Sequence, residues 1–216
     1  DMATMLVYIF TDARIPRAPL QAMVDRGLRD SFNAITVDGD TSTSDTLLVG
    51  ATGRSAAAAP VGPVAAAFER ALHGVMRDLA LQVVRDGEGA TRLFEVRVSG
   101  AASDEDATRV AFTVANSPLV KTAVAGADPN WGRIIAAIGR AGARAERDRI
   151  TLRLGDILVA EGGWKAASYR EEAGAAYMQG RELVIGIDLG LGTGARSVWS
   201  CDLTARYVEI NADYRS

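Results

Sequence analysis

The first part of the chain changes from strand spacing to helix spacing. Residues 5–11 are rich in β-branched and aromatic side chains and predict a buried strand, which ends at the polar, proline-containing segment 12–19. The next apolar positions recur at helical spacing and are Leu20, Met23, Val24, Leu28 and Phe32. Residues 38–45 are polar and predict a loop.

The most regular helical pattern begins near residue 63. Its apolar stripe consists of Val64, Phe68, Leu72, Val75, Leu79 and Val83. Pro63 occupies a position that suits the first turn of a helix, and Gly87 follows the predicted end. We therefore expect one long helix that packs through this stripe.

Short strands and helices alternate along the rest of the chain. Strands are predicted at 93–98, 183–189 and 197–203, and as a pair within 150–159. Helices are predicted from Ser103 to a point before Pro118, at 134–142 and at 171–178. The pattern predicts an α/β (α+β) fold with mixed sheets layered with helices, in one domain over residues 1–216 without an internal boundary.

Composition and charge exclude several classes of protein. The 216 residues carry 24 Lys+Arg and 27 Asp+Glu, a formal charge of −3, so we expect no nucleic-acid partner. Cys201 is the only cysteine, which excludes an internal disulfide and a cysteine-based zinc site. No apolar run approaches the roughly 20 residues of a membrane span, and no secretion signal opens the sequence. We expect a cytoplasmic protein that is not bound to a membrane.

Three candidate sites each have a plainer structural interpretation. A Ser-His-Asp triad would require His73, the only histidine, but a residue at the boundary of the long helix is favoured. The glycine-rich segment 190–194 resembles a dinucleotide loop, yet a strand follows it, so a hairpin turn is favoured. The aspartates of the 38–45 loop could gather a cation, but a network of turn hydrogen bonds is favoured and no metal site is expected.

For two further residues, the local sequence pattern does not decide between a functional and a structural role. Glu88 lies between Gly87 and Gly89, where it can reach a cationic substrate group or simply belong to a turn after the helix. Thr4 opens the first strand and is either structural or, if cleavage frees its amine, a nucleophile that carries its own base. An α-amine titrates at about 7.7–8.0, close to working pH.

A series of motifs resembles the ornithine acetyltransferase (glutamate N-acetyltransferase) family, in order and along essentially the whole chain. The motifs are Ala3-Thr4-Met5-Leu6, the segment 36–43, the segment 86–91 (Asp-Gly-Glu-Gly-Ala-Thr), the segment 128–133 (Asp-Pro-Asn-Trp-Gly-Arg), Cys201-Asp202-Leu203-Thr204 and the ending 210–214. The resemblance identifies the chain with the C-terminal, or β, portion of a precursor that cleaves itself.

The resemblance implies a set of site residues. Cleavage would fall between Ala3 and Thr4 and make Thr4 the acyl-accepting nucleophile, and because residues 1–3 precede Thr4, its amine is free only after that cut. Glu88, Asn211 and Ser216 would bind substrate together with Thr4, although many members of the family end in Thr instead of Ser. The oxyanion hole and a substrate-contacting lysine would come from the upstream α portion.

The resemblance also implies an activity and an assembly. The reaction would move an acetyl group from N-acetylornithine to glutamate by ping-pong kinetics, without coenzyme A or another cofactor. The fold would be an N-terminal-nucleophile-like sandwich completed by the α portion, in a hetero-oligomer of α and β chains such as a heterotetramer. The alternatives are an N-terminal-nucleophile amidohydrolase or aminopeptidase that uses Thr4, and a non-catalytic subunit that binds amino acids.

Overall fold

The computed structural model describes residues 5–213 of the chain. The contacts between these residues divide them into two compact units. The first unit contains residues 5–35 and 40–83, and the second contains residues 36–39 and 84–213.

The first unit is built on two parallel strands. Strand β1 (Leu6–Thr11) pairs with β2 (Thr46–Ala51) in a register that sets Leu6 opposite Thr46. Two helices belong to this unit, α1 (Arg17–Leu28) and most of α2 (Gly62–Arg85), with a 3-10 turn at Phe32–Ala34. The strand predicted at 5–11 and the helix that follows it are confirmed, whereas β2 was not predicted.

The two faces of this sheet differ in exposure. On one face, Val7 is buried and packs with α1 and α2 through Leu20, Met23, Leu72 and Met76. The opposite face exposes apolar side chains, and their exposed fractions are 56% for Leu6, 55% for Tyr8, 69% for Phe10 and 46% for Leu48. Tyr8 and Leu48 lie directly opposite each other in the register, so these side chains form one apolar surface, which we call the β1–β2 face.

Helix α2 confirms the predicted long helix but corrects its buried stripe. The buried positions are Leu72, Met76, Ala80 and Val84, whereas Val64 and Val75 of the predicted stripe are 64% and 46% exposed. Apolar residues stand beside each other at several positions along this helix, so spacing alone allows two overlapping stripes.

The second unit contains a six-stranded sheet. Its strands are β3 (Leu93–Ala101), β4 (Thr151–Leu154), β5 (Ile157–Glu161), β6 (Trp164–Lys165), β7 (Glu182–Asp188) and β8 (Gly194–Cys201). Their order across the sheet is β6-β5-β4-β7-β3-β8. Strands β3 and β7 are parallel, and the other neighbours are antiparallel. Together with its helices, this mixed sheet confirms the predicted α/β class.

Five helices belong to the second unit. They are α3 (Asp104–Ala115), α4 (Pro118–Ala125), α5 (Trp131–Gly139), α6 (Glu171–Met178) and α7 (Ala205–Ala212), and a 3-10 turn spans Arg147–Arg149. The hydroxyl of Ser103 accepts a hydrogen bond from the N–H of Asp106 at 3.1 Å, as the predicted cap requires. Helix α3 ends before Pro118, as predicted, but α4 and α7 were not predicted. No helix within residues 5–213 combines the length and apolarity that crossing a membrane requires.

The predicted hairpin between β7 and β8 is wrong, because β3 lies between these two strands. The connecting segment instead passes the end of β3, where the N–H groups of Leu191 and Gly192 donate to the carbonyl of Gly100 at 2.7 and 3.0 Å. A Cβ atom on Gly192 would lie 2.7 Å from the carbonyl oxygen of Ala101. Glycine here therefore permits a close backbone approach and does not form a two-residue turn.

Two helical glycines of the first unit make a matched pair for a stability test. A Cβ on Gly27 in α1 would lie 2.6 Å from Cδ2 of His73 and 2.9 Å from Sδ of Met76, whereas a Cβ on Gly74 in α2 would meet nothing within 4 Å. We expect Gly74→Ala to raise the free energy of unfolding by about 0.5–1 kcal/mol, because alanine loses less backbone entropy in a helix. We expect Gly27→Ala to lower it by about 1 kcal/mol or more through overpacking. Urea denaturation of both variants measures this difference, and equal shifts would contradict the packing described.

Candidate functional site

Glu88 lies in a tight turn between α2 and β3. The N–H of Ala90 donates to the carbonyl of Gly87 at 2.9 Å, which places Glu88 and Gly89 at the central positions of the turn. Gly89 has a φ of +70°, which side-chain-bearing residues rarely adopt. A Cβ on Gly89 would also lie 2.6 Å from the backbone nitrogen of Tyr207. Glycine at this position therefore allows the turn to contact the beginning of α7.

The carboxylate of Glu88 is held by the side chain of Asn211 in α7. Nδ2 of Asn211 donates to Oε2 of Glu88 at 2.5 Å and to the carbonyl of Tyr207 at 3.0 Å. Within residues 5–213, Oε1 of Glu88 accepts no hydrogen bond, and Oε2 accepts the one from Asn211. The structure thus brings together two of the residues predicted to bind substrate, Glu88 and Asn211.

The beginning of α7 fixes two further segments. The hydroxyl of Thr204 donates to the carbonyl of Gly89 at 2.8 Å. The phenol of Tyr207 donates to Oδ2 of Asp38 at 3.3 Å. Helix α7 therefore joins the Glu88 turn to the segment 36–39.

Asp202 follows β8 directly, and its side chain is buried. Its Oδ1 accepts hydrogen bonds from the backbone N–H groups of Thr91 and Arg92 at 2.8 and 3.0 Å. Its Oδ2 accepts a bond from the Thr91 hydroxyl at 2.6 Å. Hydrogen bonds to an ionised acceptor are stronger than neutral ones, so this carboxylate holds the end of the turn where it enters β3.

Lys121 in α4 is also buried, with 3% of its surface exposed. Its ammonium donates to the carbonyl of Val37 at 2.7 Å, to the hydroxyl of Ser200 at 2.9 Å and to the carbonyl of Cys201. Burial lowers the pKa of Lys121 below its ordinary value. The ammonium thus links the segment 36–39 to the end of β8.

His73 belongs to the first unit, and its contacts are those of a residue with a structural role. Its Nε2 lies 2.8 Å from the carbonyl oxygen of Met23, and the same nitrogen lies 3.7 Å from Oε1 of Glu69. The ring is close to Gly27, and the side chain is 32% exposed. The favoured interpretation of His73 as a boundary residue is confirmed.

Hydrogen bonds in the 38–45 loop agree with the favoured turn network. The N–H of Ser44 donates to the hydroxyl of Ser42 at 3.2 Å, and the hydroxyl of Thr46 donates to the carbonyl of Ser44 at 3.3 Å. Oδ1 of Asp45 accepts a bond from the N–H of Met5 at 3.0 Å. Across residues 5–213, no group of three or more His, Cys, Asp or Glu side chains is arranged to hold a metal ion.

Some predicted site residues lie outside the part of the chain that the structure describes; they are Ala3, Thr4 and Ser216. Sequence reasoning missed Asp202, Lys121 and the role of Thr204. Asp202 and Thr204 belong to a motif that supports the family resemblance, but a motif does not state what its carboxylate binds. Lys121 had no signal, because one lysine in a short helix follows no distinctive pattern.

Comparison with known proteins gives consistent matches along the chain. The profile of the ArgJ family matches residues 1–216. The arginine biosynthesis bifunctional protein ArgJ of Ruegeria pomeroyi is 62% identical over 216 residues, which cover 100% of this chain and 52% of that protein. The protein of the same name from Rhizobium meliloti is 53% identical over 222 residues, covering 100% of this chain and 54% of that protein. The chain therefore spans about half the length of these curated relatives.

A solved structure is also similar. The crystal structure of the arginine biosynthesis bifunctional protein argJ from Bacillus halodurans aligns with a TM-score of 0.91 at 43% identity. The alignment covers 97% of this chain and 100% of that chain.

The environment of Cys201 predicts that its thiol is alkylated slowly. The side chain is buried, and burial raises the pKa of the Cys201 thiol above its ordinary value. Because the thiolate is the reactive form, we expect iodoacetamide to alkylate Cys201 at least about tenfold more slowly in the native protein than in denaturant at the same mildly alkaline pH. Mass spectrometry of the peptide that contains Cys201 measures both rates. Equal rates would show that the thiol is accessible and that its described burial is wrong.

Proposed function

Because the chain belongs to the ArgJ family, whose profile spans residues 1–216, we propose that it is the Thr4-bearing portion of an acetyltransferase of arginine biosynthesis. The enzyme moves an acetyl group from N-acetylornithine to glutamate, in the cytoplasm and without coenzyme A. The observation that carries this proposal is the match of the entire chain to proteins named for arginine biosynthesis, at identities as high as 62%.

In the first half-reaction, Oγ of Thr4 attacks the acetyl carbonyl carbon of N-acetylornithine. The α-amine of Thr4 accepts the hydroxyl proton and passes it to the departing nitrogen, so that the amide bond breaks and ornithine leaves. The acetyl group remains on Thr4 as an ester. In the second half-reaction, the amine of glutamate attacks this ester, N-acetylglutamate leaves and the Thr4 hydroxyl regains its proton.

Glu88 and Asn211 suit the binding of amino-acid substrates. A carboxylate at the tip of a turn attracts an ammonium group, and Oε1 of Glu88 accepts no bond from residues 5–213. Asn211 already uses its amide group to hold Oε2 of Glu88. We assign the ammonium of the substrate to Glu88 and the carboxylate of the substrate to the hydroxyl of Ser216. Nδ2 of Asn211 already donates to Glu88 and to the carbonyl of Tyr207, so we assign the amide N–H of the substrate to Oδ1 of Asn211.

The nucleophile requires a free amine at Thr4. We therefore propose that the bond between Ala3 and Thr4 is cut before turnover. An N-terminal threonine then supplies both the nucleophile and its base within one residue.

Thr4 can be tested by trapping the acetylated intermediate. After incubation with N-acetylornithine, we expect the wild-type protein to gain the mass of one acetyl group on the peptide that begins with Thr4. Thr4→Val should lower turnover by more than about 10³-fold, because no other group supplies the nucleophile. Thr4→Ser is the matched control and should retain measurable acetylation, since its hydroxyl keeps the same chemistry.

Three outcomes would contradict this function. An acetyl group on another residue would remove Thr4 from the reaction. Equal deacylation rates with and without glutamate would indicate an amidohydrolase that uses water as acceptor. An N-terminus that still reads Asp1, in a preparation without turnover, would favour a non-catalytic subunit that binds amino acids.

The exposed apolar side chains of the β1–β2 face are an argument for a partner chain. A two-stranded sheet is marginally stable by itself, and this face exposes Leu6, Tyr8 and Phe10 to between 55% and 69%. The curated relatives are about twice as long as this chain. We propose that the upstream α portion of the same precursor covers this face in an αβ hetero-oligomer, with a heterotetramer as its assembled form.

One phenylalanine and one valine of similar exposure allow a controlled test of this interface. Phe10 on the β1–β2 face is 69% exposed, and Val61 outside it is 72% exposed. We expect Phe10→Lys to weaken co-purification of the two portions by at least about tenfold, because a lysine ammonium is costly to bury in an apolar interface. Val61→Lys should leave co-purification unchanged. Equal recovery from both variants would argue against this face as the contact surface.

A further inference from the structure

We propose that Asp202 is a positioning residue for Glu88. Its buried carboxylate holds the end of the Glu88 turn that enters β3, and thereby sets where the Glu88 carboxylate meets the substrate ammonium. The identity of that ligand rests on the proposed function. The geometry of the turn does not depend on it.

Asp202 holds the turn through the main chain. Both of its carboxylate oxygens are occupied, by two backbone N–H groups and one hydroxyl of Thr91 and Arg92. The N–H of Asp202 in turn donates to the carbonyl of Arg92 at 3.1 Å. Residues 91 and 92 are therefore fixed on both the donor and the acceptor side, three to four positions after Glu88.

Only an acceptor fits this position. The three groups that face the Asp202 side chain all donate hydrogen bonds. An asparagine would place an amide donor against one of them and leave a buried donor without an acceptor. We expect residues 91 and 92 to shift in response, and the turn that carries Glu88 to shift with them.

The other side of the turn depends on the same short segment of chain. Two residues after Asp202, the hydroxyl of Thr204 donates to the carbonyl of Gly89. Helix α7 follows directly and carries Asn211, which holds Oε2 of Glu88. The segment 201–204 thus places both members of the Glu88–Asn211 pair relative to each other.

The test compares two acetyl donors in the complete, processed protein. N-acetylornithine carries an ammonium group, and p-nitrophenyl acetate carries none. For Asp202→Asn we expect the KM for N-acetylornithine to rise about tenfold with kcat little changed, and the rate of Thr4 acetylation by p-nitrophenyl acetate to stay the same. Loss of an interaction made equally in the ground state and the transition state has this signature.

Two threonine variants make the test independent of the folding of Asp202→Asn. Thr204→Val removes only the hydroxyl that holds Gly89, and we expect about a threefold rise in the same KM. Thr108→Val removes a hydroxyl that donates to a backbone carbonyl, that of Asp104, at 2.7 Å on the exposed side of α3. We expect this control to change neither the KM for N-acetylornithine nor the rate of Thr4 acetylation by p-nitrophenyl acetate.

Each outcome decides one question. If Asp202→Asn and Thr204→Val slow Thr4 acetylation by the two donors equally, or leave the KM for N-acetylornithine unchanged, Asp202 and Thr204 do not position Glu88. If the wild-type protein acetylates Thr4 with p-nitrophenyl acetate but not with N-acetylornithine, the proposed function fails. In that case the KM ratio between variant and wild type, measured with other N-acetylated amino acids that carry an ammonium, still tests the positioning role.

Discussion

The antiparallel register between β3 and β8 determines where the Glu88 turn lies. Leu93 stands opposite Cys201 in this register, so the residue after β8 meets the residues before β3. That placement brings the Asp202 carboxylate to the N–H groups of Thr91 and Arg92. A slip of one residue would turn every side chain of β8 to the other face of the sheet and separate these groups. The site therefore depends on the pairing of a strand that contributes no predicted substrate-binding side chain.

The same end of β8 also depends on a buried cation. The hydrogen-bond acceptors of the Lys121 ammonium within the described chain are two carbonyls, a hydroxyl and, at 3.9 Å, Sγ of Cys201. Removing an ammonium from water is unfavourable, and the lowered pKa of Lys121 expresses that cost. The buried ammonium instead holds two segments in place, because one side chain binds the segment 36–39 and the end of β8 at the same time.

Local periodicity predicted the elements whose buried and exposed positions differ clearly. Strand β3 is an example, because Phe94, Val96 and Val98 are buried while Arg97 between them is exposed. Helix α2 was recognised, but its buried side was misassigned at Val75, since the neighbouring Met76 is also apolar. Strand β2 and helix α7 are short and had no distinctive spacing.

Local sequence patterns did not predict the contacts between distant segments. Nothing near Gly190 indicates that β3 separates β7 from β8, because strand order is a property of the whole sheet. Glu88 and Asn211 were selected by chemistry and resemblance, yet their contact spans 123 positions in the sequence. Asp202 was missed for the same reason, since its partners lie 110 and 111 positions away.

These long separations also order the events of folding. Strand β3 can pair with β7 and β8 only after a large loop has closed, and such non-local contacts form slowly. During synthesis, the Glu88 turn leaves the ribosome well before Asp202 exists to hold it. The turn therefore lacks these hydrogen bonds until the chain has been synthesised through Asp202. The Glu88–Asn211 pair can form only after both β8 and α7 have been synthesised.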